Sequence, residues 1–422
     1  MVDRSFWKCA GCSTSFVLRV SWAYNVDHLF RFNCPSCKSE LDGQLVINFR
    51  TTDGTLLPPE RWDTFLRIEG AQKLTESQVV FNEQTAWITI FSDLPIDAAH
   101  HVQRGKDVPL YGPTMFTMAC LDKKVFEYGK RTEHIYSLPE NDIKVLKSAF
   151  NAFKRKDLEN AKSLLDKVSF SVPKKSHHVA SICGITYSSI LIPFVGPFVH
   201  SGIYLEFIDK MLSLDKMNTF VIPKQLIDSG RFESILNLHF ELLGSLIDNK
   251  LILSIALFID MCPEAVRESL VITANYPELV LRIYEQLCEA NHTFVKIFVG
   301  LMNIVNRGGI HRFNRTNIKD FGTFFERATI STSLDLVTEH PGIGEYFNTN
   351  LDRKIRNAIA HRSVQFTPNG QTLNSTFSGE KYSIDYPTFL MKLLGLSQSI
   401  LFFTAVLTDM NRIVTDIASN GG

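Results

Sequence analysis

The chain has 422 residues, long for one domain and suited to two or three. A hydrophobic content of 45% is enough to form a sizeable core. Lys plus Arg equals Asp plus Glu, 44 against 44, which argues against a protein coated in basic charge for non-specific nucleic-acid binding and leaves room for a local patch.

The first predicted element is a metal site. Cys9 and Cys12 form one Cys-x-x-Cys pair, Cys34 and Cys37 another, with 21 residues between the pairs. Four thiolates at this spacing can surround one Zn²⁺ tetrahedrally, and the β-rich stretches Thr14 to Tyr24 and His28 to Phe32 can close the intervening loop. Ala10-Gly11 and Pro35-Ser36 inside the pairs suit tight turns whose backbone N–H groups approach the sulfurs. The arrangement resembles zinc ribbons. Four protein ligands leave no open position, so the zinc is expected to be structural. Arg4, Lys8, Arg19, Arg31, Lys38 and Arg50 are interleaved with Phe6, Trp7, Phe16, Trp22, Tyr24, Phe30 and Phe32. Such a mixture can bind single-stranded nucleic acid. A ribbon of this size has little else to bury, which favours these aromatics as its core.

Residues 43 to 136 stay strand-like: Val46 to Phe49 is one run, and Val79 to Phe81 and Trp87 to Phe91 flank Asn82-Glu83-Gln84 like hairpin arms. Phe126 to Tyr136 is mixed, and Asp93 to Pro113 reads as a loop. Near Pro139 the texture becomes helical. Ile143, Leu146, Phe150 and Phe153, then Leu158, Ala161, Leu165 and Val168, recur at helical spacing as a helical hairpin. Further helical patterns cover Ser234 to Leu246, Leu251 to Phe258, Pro277 to Leu287 and Thr293 to Val305. Residues 176 to 205 carry no Asp, Glu, Lys or Arg, but Pro193, Gly196 and Pro197 interrupt them. They read as two buried helices around a break, not as a span of about 20 apolar residues. Cys120, Cys183, Cys262 and Cys288 are scattered singly, as buried thiols are in a reducing compartment. With no apolar secretory run at the N-terminus, the expected location is the cytoplasm, with no membrane partner. The pairs His100-His101 and His177-His178 lack ligand companions and read as loop features.

Leu351 to Arg362 reads as a helix with Leu351, Ile355, Ala358 and Ile359 on its core face. Arg353, Lys354, Asn357 and His361 lie away from that face, and Asn357 and His361 are one turn apart. Arg356 stands about 140° from His361 on an ideal wheel, so both reach one atom only if the helix loosens, the Arg curls round, or two subunits contribute. Past it, Val364 to Phe366 and Gln371 to Leu373 form a hairpin about Asn369-Gly370, and Phe389 to Leu407 forms a long apolar helix. Upstream, Arg307, His311, Arg312, Arg315 and Lys319 are the chain's best candidate for a phosphate-tracking patch, against the reading of a solvated, structurally neutral loop, and Arg353 is a further RNA-binding candidate.

Glu345-Tyr346-Phe347, then Leu351 to His361, then a hairpin and an apolar helix, resembles the HEPN superfamily over about residues 310 to 415. Many members are metal-independent RNA endonucleases of prokaryotic toxin, abortive-infection and phage-defence systems. Their motif of Arg, a polar residue, three variable residues and His falls on Arg356, Asn357 and His361. The resemblance implies an RNA substrate, no catalytic metal, and a homodimer or higher homo-oligomer in which two motifs line one cleft. The expected fold is α+β: a zinc ribbon (1–42), a small β-rich domain (43–136), a helical region (137–300) and a HEPN-like helical bundle (301–422). The N-terminal half is then the place for a regulatory or trigger partner. The alternative is a non-catalytic zinc-ribbon scaffold or nucleic-acid-binding protein with a helical dimerisation domain.

Overall fold

The computed structural model describes residues 2–21, 27–48, 63–91, 96–98, 103–104, 124–168, 179–196, 216–267, 270–272, 276–314, 318–340, 342–367, 371–377 and 380–419. The fold is mixed α+β, with strands in the N-terminal part and helices through most of the rest. Packing divides the chain into two compact units, each discontinuous in sequence. One comprises Met1–Gly129, Leu251–Leu281 and His361–Met391, the other Lys130–Lys250, Arg282–Ala360 and Lys392–Gly422.

The first unit is built on strands β1 (Val2–Cys9), β2 (Ser15–Ser21), β3 (Asp27–Asn33), β4 (Glu40–Asn48), β5 (Asp63–Glu69), β6 (Ala71–Leu74), β7 (Ala86–Phe91), β8 (Ile96–Ala98) and β9 (Gln103–Arg104). Among the described residues they form a sheet of order β6-β1-β2-β7-β9 and a second of order β3-β4-β5, while β8 pairs antiparallel with β10 (Leu270–Ile272). The period-2 alternation of strands turns Trp7, Phe16, Leu18, Phe30, Phe32, Leu45 and Leu66 into one shared core. The aromatics around the cysteine pairs are therefore core residues: Phe6, Trp7, Phe16, Phe30 and Phe32 are buried, while Trp22 and Tyr24 lie outside the described residues. Gly43 pairs with Phe30 across β3 and β4, and a Cβ there would run into the Phe30 ring.

The expected hairpin of Val79–Phe81 with Trp87–Phe91 does not form. β7 runs parallel to β2 on one side and antiparallel to β9 on the other, so both its edges are taken. Val79 and Phe81 instead pack beneath Trp87 with Phe6 and Val17. Asn82 accounts for the turn: its side-chain oxygen accepts from Gln84 N at 2.8 Å. Most of Asp93 to Pro113, with His100-His101, lies outside the described residues, although β8 and β9 fall within it. The same unit holds a sheet of β11 (Val364–Phe366), β12 (Thr372–Phe377) and β13 (Glu380–Asp385). The expected hairpin is present, with Phe366 opposite Leu373, and a third strand adds to it. Two-residue register keeps Leu373 and Ile384 paired on the buried face.

Phe126 to Tyr136, read as mixed, is helical: α1 spans Val125–Tyr136 and buries Tyr128 and Ile135, one face two turns apart. In the second unit, α2 (Glu140–Lys154) and α3 (Leu158–Leu165) form the expected helical hairpin, with Asp157 capping α3 through Asn160 N. Phe150 packs edge-on against Phe240 of α6 (Arg231–Asp248), 5.2 Å between centroids. The uncharged stretch forms α4 (Val179–Val195), which carries Pro193 inside its last turn. The expected break falls at Gly196, whose φ of +90° suits glycine. His177-His178 and the second expected helix lie outside the described residues. α5 (Lys216–Asp228) precedes α6, while α7 (Lys250–Met261) and α8 (Glu264–Arg267) follow it in sequence and fall, from Leu251 on, in the first unit.

Pro277 to Val305, expected as two segments, is one 31-residue helix, α9 (Pro277–Arg307). The polar residues between Leu287 and Val295 do not end it: buried Asn291 donates to Leu287 O at 2.8 Å and to Leu396 O at 3.2 Å, and Thr293 donates to Glu289 O at 3.2 Å. α10 (Phe321–Arg327), α11 (Ile330–Val337), α12 (Ile343–Asn350), α13 (Arg353–Ala360) and α14 (Tyr386–Ser419) complete the chain. Within α14, Tyr386–Thr408 is long and apolar enough to cross a membrane, yet most of it is buried in the fold, as the core helix of a globular protein would be.

Candidate functional site

The two cysteine pairs sit in matching turns, one between β1 and β2 and one between β3 and β4. Cys9 N donates to Thr14 O at 3.0 Å and Ser13 N to Cys9 O at 2.9 Å; Cys34 N donates to Ser39 O at 2.8 Å and Lys38 N to Cys34 O at 3.0 Å. Ser13 and Lys38, each four residues past the first cysteine of its pair, share a left-handed backbone at φ 61° and 63°. The turns aim the Gly11 and Cys12 amides at the Cys9 sulfur, and the Ser36 and Cys37 amides at that of Cys34.

All four sulfurs lie within 4.8 Å of one another, with Cys9 to Cys37 at 3.8 Å and Cys12 to Cys34 at 3.7 Å. Thiolates held about 2.3 Å from a tetrahedral ion stand about 3.8 Å apart, so the set fits a structural metal site. As bare thiols they divide. The hydroxyl and amide of Thr14 pull Cys12 down to about 6, whereas burial pushes Cys34 up to about 12. A thiolate at the buried Cys34 needs a cation beside it.

The Arg-Asn-x-x-x-His stretch is placed less simply. α13 is shorter than expected. Leu351 belongs to the turn that ends α12, and Asp352 starts the new helix by accepting from Lys354 N at 3.0 Å and Ile355 N at 3.3 Å. Buried Tyr284 of α9 fixes this start, donating to Asn350 O at 3.0 Å and accepting from Asp352 N at 3.2 Å. Ile355 and Ala358 are buried as expected, while Arg356 and Asn357 are half-buried. The helix ends at Ala360, and Arg362 turns left-handed at φ 53°. His361 therefore lies in an exposed turn outside the helix, so the wheel angle of a continuous helix does not apply to it. The division between the two compact units falls between Ala360 and His361.

Arg356 has a partner that sequence reasoning missed. Its Nε donates to Oε1 of Glu289 at 2.8 Å, its Nη2 donates to the same oxygen, and its Nη1 reaches Oδ1 of Asn357 at 3.3 Å. Glu289 stands on α9 one turn before His292 and two before Lys296, on a polar face that interrupts the apolar spacing of the helix. That interruption of the apolar pattern was the available signal. His292 lies 3.1 Å from the Ser333 hydroxyl, and burial, with the Lys296 charge behind it, holds its imidazole down to about 4.

The upstream patch is largely engaged within its own unit. Arg307 pairs with Glu339, Arg312 donates to Arg307 O at 2.8 Å, and His311 accepts from Phe321 N at 3.1 Å. Lys319 is exposed, Arg353 donates to the Ser331 hydroxyl at 2.6 Å, and Arg315 lies outside the described residues. Comparison with family models, with curated proteins and with solved structures gives no match.

Proposed function

We propose that the chain is a metal-independent RNA endonuclease of the HEPN kind, with Arg356, Asn357 and His361 at its centre and one structural zinc held by Cys9, Cys12, Cys34 and Cys37. The observation that carries the reading is the setting of Arg356. Its guanidinium is partly exposed on a short helix whose other face is anchored in the core, so it can meet a phosphate without unfolding anything. The ribose 2′-OH loses its proton and attacks the adjacent phosphorus, the O2′–P bond forms and the P–O5′ bond breaks, leaving a 2′,3′-cyclic phosphate and a 5′-hydroxyl whose oxygen takes up a proton. An imidazole can move the 2′-OH proton, and a guanidinium can stabilise charge building on the phosphoryl oxygens. Asn357 orients one or the other. A homodimer would bring two motifs to one RNA, and a cytoplasmic antiviral or growth-arresting role suits such an activity, with the N-terminal half as the seat of regulation.

The same ion pair supports a second reading. An arginine already satisfied by Glu289 needs no substrate, as in a non-catalytic scaffold whose helical part only associates. RNA cleavage by the full chain, with EDTA added at the start of the assay, separates the two. Arg356→Ala and His361→Ala should each lower cleavage by about 10² to 10⁴-fold, and the wild-type products should end in cyclic phosphate. Equal cleavage by wild type and both variants would reject the nuclease. Overexpression offers a parallel test: growth arrest by the wild type that His361→Ala relieves supports cleavage, and equal growth supports the scaffold.

A further inference from the structure

A guanidinium carries five N–H groups in a planar fork. In Arg356 the side edge, formed by Nε and Nη2, is spent on a single oxygen of Glu289, and one Nη1 hydrogen faces Asn357. One N–H on Nη1 and one on Nη2 are left without a partner among the described residues. That pair matches two oxygens of one phosphate. The side chains of Arg356 and Glu289 are 30% and 44% exposed, so the ion pair adds little to stability where it stands. Its larger effect is on geometry: a long, freely rotating side chain is held in one orientation before any ligand arrives.

We propose that Glu289 is a positioning residue for Arg356, clamping the side edge of the guanidinium so that its tip is presented to the scissile phosphate. The inference rests on the nuclease reading above. A carboxylate acting as an internal competitor for the arginine would have the opposite effect, because removing it would free the guanidinium for RNA. Contact through one carboxylate oxygen and one edge of the fork favours the clamp, since it leaves two N–H groups of the guanidinium without a partner among the described residues.

The test compares full-length wild type, Glu289→Ala, Glu289→Gln, Arg356→Ala and the Glu289→Ala/Arg356→Ala double variant, with folding checked by circular dichroism. Glu289→Ala should lower kcat by about 10- to 100-fold with much less change in KM. Glu289→Gln, whose amide oxygen still accepts both N–H groups, should stay within a few-fold of wild type. In the Arg356→Ala background, Glu289→Ala should add no further loss. Faster or unchanged cleavage by Glu289→Ala, or a full additional loss in the double variant, would overturn the proposal. A second readout is independent of cleavage: the Arg356 Nε–H signal in nitrogen-15 NMR, assigned by its disappearance in Arg356→Lys. It should be protected from exchange in wild type and Glu289→Gln and unprotected in Glu289→Ala. Absence of protection in wild type overturns the clamp, whereas protection in a chain that cuts no RNA rejects the nuclease reading alone.

Discussion

Thr14 and Ser39 do the same job in the two cysteine turns, each offering a carbonyl to the amide of the first cysteine five residues earlier and a hydroxyl beside a sulfur. Such a repeat is costly to build unless four thiolates must point at one centre. On the zinc reading, purified protein should hold about one zinc per chain by elemental analysis. Cys12→Ser should lose it, and the β-rich unit should then melt earlier than in the wild type; unchanged zinc content in the variant would reject the four-cysteine site. Gly43 illustrates a residue whose role needs no metal. Its missing side chain lets the Phe30 ring lie against β4, so Gly43→Ala should cost about 1–3 kcal/mol in chemical denaturation.

At the scale of elements, the short helix α13 depends on its start. Asp352 accepts two backbone N–H groups that no turn of helix precedes to satisfy. Asp352→Ala should therefore destabilise the chain by about 1 kcal/mol in urea unfolding. Because Arg356 stands in the second turn of this helix, the same variant should also weaken the Arg356 Nε–H protection. Elements with strong periodicity were legible in the residues: the α2–α3 hairpin, α6 and the β11–β12 pairing follow from apolar spacing and turn residues. Three others were not. Val79–Phe81 looks like a strand because it is apolar, yet a strand also needs a free neighbouring edge, and β7 had none left. Polar Glu289, Asn291 and His292 looked like a break in a helix that runs straight through them. Leu351 fits the core face of the helix after it but closes the helix before it.

For the whole molecule, acid should be the weak condition. Burial holds His239 down to about 3, and burial with the Lys296 charge holds His292 down to about 4, against 6.5 for an unperturbed imidazole. Between about 6.5 and those values the unfolded chain binds protons that the folded chain refuses. Stability is therefore full above about 6.5 and falls as pH drops through that window. The denaturant midpoint should be lower at pH 5 than at pH 7.5, and His239→Gln should flatten the difference; an unchanged midpoint would contradict the buried imidazoles.

Local chemistry, written into neighbouring residues, was enough to give the four clustered cysteines, the α+β character and a candidate Arg-Asn-x-x-x-His stretch. Spacing alone brings Cys9 near Cys12 and Ala358 onto the face of Ile355. Whatever depended on residues distant in the chain was decided by the tertiary structure. The parallel pairing of β2 with β7, the end of α13 before His361, and the 67-residue reach from Arg356 to Glu289 all arise from packing between segments. A side chain's charge partner is chosen by which surfaces bury one another, and no periodicity records that choice.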